Sequence, residues 1–153
     1  MTPHRRLNTE FDAADESPGF LLWQITNRWQ SAVRAALKPS GLTHVQFVLL
    51  ASLTWLRAEG PVTQRQLADH ASTDPMMTSQ VLRTLEARGL VTRTDHPLDK
   101  RARALTVTDH GRSLANDAIV AVEACDRAFF RPLSNAAEFT RALRSLQVAD
   151  RIG

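Results

Sequence analysis

Four side chains, at positions 76, 79, 80 and 83, carry the groups that read base edges in a DNA groove. The Gln80 amide can pair with adenine, the Arg83 guanidinium with guanine, and the Ser79 hydroxyl with either. Met76 can press on a thymine methyl. At about 100° per residue the four share one side of a helix. Thr78, Val81, Leu82 and Leu85 fall opposite, in the i, i+3, i+4, i+7 pattern of a buried face. A second chemical group follows: Lys100, Arg101 and Arg103 crowd one short charged loop. A narrow minor groove of high negative potential attracts such a cluster. Asp99, two residues before Arg101, offers a local ion pair that would orient its guanidinium. Two blander readings stand beside these. The polar stripe can be the solvated side of an amphipathic helix, and the basic tip can be charge that keeps a hairpin edge from aggregating.

Such groups act only if the chain holds them still, and the flanking residues supply the elements to do so. Thr63 with Gln66 three residues later forms a capping box, which starts a short helix carrying Leu67 and Ala71 inward. Ala71, Ser72 and Thr73 read as the turn out of it. Asp74 is a ready N-cap and Pro75 sits at the first helical position, where its missing N–H costs nothing. Gly89 fits the position just past the helix end. Two helices across a three-residue turn make a helix-turn-helix pattern. The period then changes to alternation over 90–94 and 103–108, which predicts two strands joined by the charged loop 95–102. Upstream, recurring Leu22, Ile25, Trp29, Ala32 and Ala36 predict a helix from Gly19 to about residue 38, and a second follows over about 43–58. Downstream, Thr108 caps a long helix over about 109–131, and a last one spans about 136–148. Residues 1–18 are polar, mostly acidic, and read as a loose arm.

The chain of 153 residues is one domain's length, and 43% hydrophobic with 23% charged residues is the balance of a soluble globular protein. Its longest apolar run, FVLLASLTWL over 47–56, is about half the length of a membrane span, and no secretory signal opens the sequence. One cysteine, Cys125, permits no internal disulfide and fits a reducing cytoplasm. Net charge is only +3, yet of 19 basic residues only Lys38 and Lys100 are lysines. Arginine is the fork-shaped partner of phosphates and guanine edges, although a GC-rich genome would give the same bias. Over 76–103 the bases Arg83, Arg88, Arg93, Lys100, Arg101 and Arg103 outnumber the acids Glu86, Asp95 and Asp99.

Three segments carry a family resemblance: LA at 67–68, VLRTLEARGLVTR over 81–93, and DKRARALTVTDHG over 99–111. In these the chain resembles the MarR family of bacterial transcriptional regulators, from about Gly19 to the C-terminus. Asp99, Arg101, Leu105, Thr108 and Gly111 match that family's wing motif, with Val107 where a leucine is usual. Thr78 departs from the aliphatic residue usual there. The resemblance implies a mainly α fold with a small β-hairpin wing: a winged helix-turn-helix lobe over 43–108 between dimerisation helices at 19–38 and 109–149. It places the helix 75–88 in the major groove and Arg101 in the minor groove. It implies a homodimer on double-stranded, pseudo-palindromic DNA. Leu22, Ile25 and Trp29, with Ile119, Val122, Phe129, Phe130, Leu133 and Leu143, independently offer more apolar surface than one small lobe needs.

Members of the family respond to small molecules or oxidants. Trp23, His44, Phe47 and Trp55 are the candidate effector-pocket residues. The Trp-Asp pair of urate-responsive relatives is absent; Gln46-Phe47 stands in its place. Cys125 lies among Val122, Ala124 and Phe129 with acids nearby, the setting of a buried, inert thiol. Asp-His recurs at 69–70, 95–96 and 109–110, but adjacent residues on a helix diverge. No metal site or other cofactor is therefore expected, although His44 and His110 could meet across the fold. No phosphate loop, HExxH or GxSxG is present, so no catalysis is expected. Two functions remain: a cytoplasmic, effector-relieved DNA-binding repressor, or a winged-helix module for protein–protein assembly without DNA.

Overall fold

The computed structural model describes residues 7–99 and 101–149. Six helices carry the chain: α1 (Pro18–Leu37), α2 (His44–Arg57), α3 (Gln64–Ala71), α4 (Pro75–Ala87), α5 (Asp109–Phe129) and α6 (Ala136–Ala149). Three strands, β1 (Val62–Thr63), β2 (Val91–Asp95) and β3 (Arg103–Val107), form one antiparallel sheet in the order β1-β3-β2. The hairpin register pairs Val91 with Val107 and Asp95 with Arg103, while Val62 of β1 lies opposite Leu105. The two-residue β1 is absent from the sequence reading because two residues carry no period.

Part of the segment read as an arm over 1–18 has regular structure. Residues 1–6 lie outside the described part, but Ala14–Glu16 form a 3-10 turn that runs into α1. The Glu16 carboxylate accepts the N–H groups of Asp12 and Ala13, and the Ser17 hydroxyl caps α1 by accepting the Phe20 N–H. α5 stops at Phe129, two residues before the expected end.

The expected caps are in place. Thr63 and Gln66 exchange reciprocal bonds at 3.1 and 2.9 Å, and Thr43 with Gln46 does the same for α2. The Asp74 carboxylate accepts the Met77 N–H at 2.9 Å. Ser72, at φ 53°, reverses the chain between α3 and α4. α4 ends in a Schellman motif: the Leu90 N–H returns to the Leu85 carbonyl and Gly89, at φ 73°, bonds back to Glu86.

The core gathers Leu49, Leu50 and Leu53 of α2, Leu67 of α3, Leu82 and Leu85 of α4, and Leu105 of the sheet, none more than marginally exposed. Burying side chains of this size stabilises by about 1.5–3 kcal/mol each. Val33 and Leu37 tie α1 to that core, and Ala115, Ala118 and Val122 tie in α5. α6 adds no buried side chain among the described residues; it is held through an aromatic chain from Phe129 to Phe130 to Phe139, with ring centroids 5.2 and 5.6 Å apart.

Candidate nucleic-acid interface

α4 presents two faces. Thr78, Leu82 and Leu85 are fully buried and Val81 half-buried, so the inward set matches its sequence pattern. Met76, Gln80 and Arg83 are exposed on the other side and Ser79 is half-exposed. An Arg83 Nη donates to the Ser79 hydroxyl at 3.5 Å, so the two groups share one stripe. Thr78 is no packing defect. Its hydroxyl donates to the Asp74 carbonyl at 2.8 Å and lies 2.7 Å from the Thr73 hydroxyl, stitching the turn to the helix it starts.

The hairpin tip is built by Asp99, but not as expected. Its carboxylate accepts the Arg101 backbone N–H at 3.0 Å, and no ion pair to the guanidinium exists among the described residues. The Asp-x-Arg spacing fixes the turn, as an Asx bond does, and leaves the guanidinium exposed. The Ala102 N–H closes the tip onto the Asp99 carbonyl, and the His96 N–H onto that of Ala102. Arg101 and Arg103 are exposed; Lys100 lies outside the described residues.

Other bases of the segment do structural work instead. Arg93 pairs with Glu86 at 3.3 Å, joining β2 to α4. Arg88 donates to the Gly41 carbonyl at 3.0 Å and reaches Gln46, pinning the end of α4 to the start of α2. The exposed bases not tied to another element, Arg83 on the helix with Arg101 and Arg103 on the wing, make a cationic display flanking a polar stripe.

The four effector candidates do not converge. Trp23 is 68% exposed on α1, and Phe47 is buried in the core. His44 meets the Trp29 ring edge-on at 5.1 Å, and Trp29 donates its indole N–H to Asp126 at 2.8 Å. Burial, then the Arg34 charge, hold the His44 pKa below its ordinary value against an opposing pull from Asp126. Trp55, 76% exposed, lines a cavity. That space of about 450 Å³ lies between α2 and α5, walled by Ala51, Thr54, Ala115, Asn116 and Ile119. It adjoins a second recess through Thr54, Ala58 and Asn116, and that recess holds Arg57 and Arg112. Sequence spacing missed this cavity because its two walls come from distant parts of the chain.

Burial and the neighbouring Asp126 raise the Cys125 thiol pKa, which disfavours the reactive thiolate. Among the described residues no three of His, Cys, Asp and Glu come together as a metal site would require, and no helix is long and apolar enough to cross a membrane.

Comparison with known proteins agrees with this geometry. The MarR family profile matches residues 42–102, the helix-turn-helix and most of the hairpin. The uncharacterised HTH-type transcriptional regulator YdcH of Bacillus subtilis is 43% identical over 140 residues, covering 91% of this chain and 95% of YdcH. The structure of CouR from Rhodococcus jostii bound to p-coumaroyl-CoA superposes with a TM-score of 0.77 at 31% identity, over 90% of this chain and 94% of CouR. Rv2887 of Mycobacterium tuberculosis, named a transcriptional repressor, has been solved with salicylic acid and with DNA. The DNA complex superposes with a TM-score of 0.64 at 34% identity, over 85% of this chain and 97% of the other. On these matches the chain belongs to the MarR family of helix-turn-helix transcriptional regulators.

Proposed function

We propose that the protein is a homodimeric repressor of the bacterial cytoplasm that α4 and the wing dock on a pseudo-palindromic operator, and that a small aromatic acid releases it. The observation that carries the reading is the joint display of Met76, Ser79, Gln80 and Arg83 on α4 beside Arg101 and Arg103 on the wing. α4 supplies base readout in the major groove, while the wing arginines grip backbone and minor groove; Lys100, adjacent to Arg101 in sequence, would add charge to that grip. Pairing of two protomers falls to α1, α5 and α6. Phe20, Leu22, Trp23 and Ile25 on α1 and Leu143 and Leu146 on α6 are left exposed in a single chain, a larger apolar face than a monomer keeps. Trp29, Ile119 and Val122, counted with that seam from the sequence, pack within the chain instead.

The effector reading rests on the Trp55 cavity. A planar ring would lie against the indole and the apolar wall of Ala51 and Ile119, with its acid group turned away from Glu59, which also lines the cavity, toward the Arg57 and Arg112 recess. CouR and Rv2887 were solved with p-coumaroyl-CoA and salicylic acid, both aromatic acid derivatives. A ligand between α2 and α5 separates the DNA-binding lobe from a dimer helix, and a coupling of about 1–3 kcal/mol would loosen DNA some 5–150-fold.

The deciding measurement is binding to DNA upstream of the protein's own reading frame at two salt concentrations, beside unrelated DNA. Selective binding that weakens steeply with salt is expected, with salicylate raising the dissociation constant. Equally weak binding to both DNAs would move the assembly-module reading to the front.

A further inference from the structure

The chain has three methionines, and both internal ones, Met76 and Met77, occupy the first turn of α4. Met76 is 75% exposed and Met77 42% exposed, whereas thioethers are ordinarily core filler. We propose that Met76 and Met77 form an oxidation site at which a two-electron oxidant of the hypochlorous acid class releases the protein from DNA. This rests on the reading of α4 as the base-contacting helix.

The chemistry needs only an accessible sulfur. The thioether lone pair attacks the chlorine of hypochlorous acid, hydroxide departs, and a chlorosulfonium forms. Water oxygen then attacks sulfur, chloride leaves and the oxygen loses its protons, one of them neutralising the hydroxide. In balance, one thioether and one hypochlorous acid give one sulfoxide, one chloride and one proton. Sulfur loses two electrons and chlorine gains them. The product replaces an apolar tip with a strong sulfur–oxygen dipole. A Met76 tip that presses on a thymine methyl would lose that contact and bring a hydrogen-bond acceptor toward phosphate oxygens that have no proton to give. Met77 sits where the Asp74 carboxylate caps the helix at the Met77 N–H, so a second dipole enters the same turn. The chain's one thiol, Cys125, lies half-buried on α5 and not on α4. Methionine sulfoxide reductases return both epimers to the thioether, which makes the mark reversible.

The test begins with a duplex selected from a random pool by the reduced, full-length protein. The protein is then treated with limiting hypochlorous acid, mapped by peptide mass for oxygen on residues 76 and 77, and titrated with the duplex. Expected are sulfoxide at 76 and 77, a loss of affinity of about tenfold or more, and recovery after the two reductase types with a thiol reductant. In the double variant carrying Met76→Leu and Met77→Leu, each protein compared with itself before and after oxidant, the oxidant effect should vanish. Met76→Leu and Met77→Leu singly divide the effect between the two. Sulfoxide formed at both positions with unchanged affinity overturns the site, as does a loss that the reductases cannot reverse or that the double leucine variant shares. If the pool yields no preferred duplex, the DNA reading itself fails. A selected duplex whose affinity ignores oxidation fails the methionine site alone.

Discussion

Replacing Gly111 with alanine should unseat the junction between the end of α4 and the start of α5. Gly111 lies buried in the first turn of α5, and a Cβ there would stand 2.1 Å from the Leu90 carbonyl oxygen and 3.0 Å from Val107 Cγ1. Ordinary contact begins near 3.4 Å, so the carbonyl must retreat by about 1 Å in a close-packed interior. It is backbone and cannot swing aside as a side chain does. It also accepts the Thr108 N–H at 3.1 Å, while the Thr108 hydroxyl holds the Gly89 carbonyl at 2.7 Å and caps the Gly111 N–H at 3.0 Å. Overpacking costs about 1–3 kcal/mol and a strained hydrogen bond adds about 1. Alanine's helix preference returns about 1. The net loss is about 1–3 kcal/mol, which in a chain of this size lowers the melting temperature by about 2–12 °C. Circular-dichroism melts check this, with Gly19→Ala as the control, since nothing lies within 4 Å of a Cβ at Gly19. Gly111→Ala melting within a degree of the unmutated protein would refute the close-contact reasoning. Because Leu90 closes the Schellman turn of α4, operator affinity measured well below the melt should fall as well.

Other perturbations have outcomes that follow as directly. Thr78→Val keeps the volume but strips the hydroxyl shared with Thr73 and Asp74, and should cost about 1 kcal/mol in denaturant unfolding. Arg101→Ala should weaken binding to every duplex and flatten the salt slope by about one unit, whereas Arg83→Ala should relax sequence preference, both read by titration across salt and sequence. Since burial first, and Arg34 second, depress the His44 pKa, the unfolded chain binds that proton more readily than the folded one. Stability should therefore be intact above the ordinary imidazole value of 6.5 and fall as pH drops through it toward the lowered folded value. His44→Gln should flatten that part of the stability-versus-pH curve measured by urea melts.

Helix ends were the most legible part of the fold because caps are written in residue identity. Asp74-Pro75, Thr63 with Gln66, and Gly89 each name one backbone position and its bonding need, and the structure meets each one. The face of α4 was legible for a related reason, since the period of its apolar residues leaves the other side free. Relations that cross the chain were not. Nothing in the local pattern says that Arg93 and Arg88 are taken up by Glu86 and Gly41, or that Asp99 serves the Arg101 backbone in place of its guanidinium. The same limit explains the effector candidates. Aromatic type marked Trp23, His44, Phe47 and Trp55 alike, but only packing distinguishes a core Phe47 from a Trp55 that opens on α5.

The position of that opening argues for how an effector signal would travel. Ala115, Asn116 and Ile119 on the cavity wall follow Gly111 by one to two turns of the same helix, about 6–12 Å along it. A ring lodged against Trp55 bears on α2 from one side and on α5 from the other. α5 cannot shift freely at its start, because the Gly111 backbone sits directly against the Leu90 carbonyl and Thr108 bridges to both Gly89 and Leu90. A displacement of α5 at the cavity is therefore handed to the residues that end α4, and α4 is itself pinned to α2 by Arg88. A packed, hydrogen-bonded junction of this kind transmits small shifts instead of absorbing them. On the proposed reading, the same contact that makes a side chain at Gly111 costly couples ligand occupancy to the orientation of the DNA-reading helix.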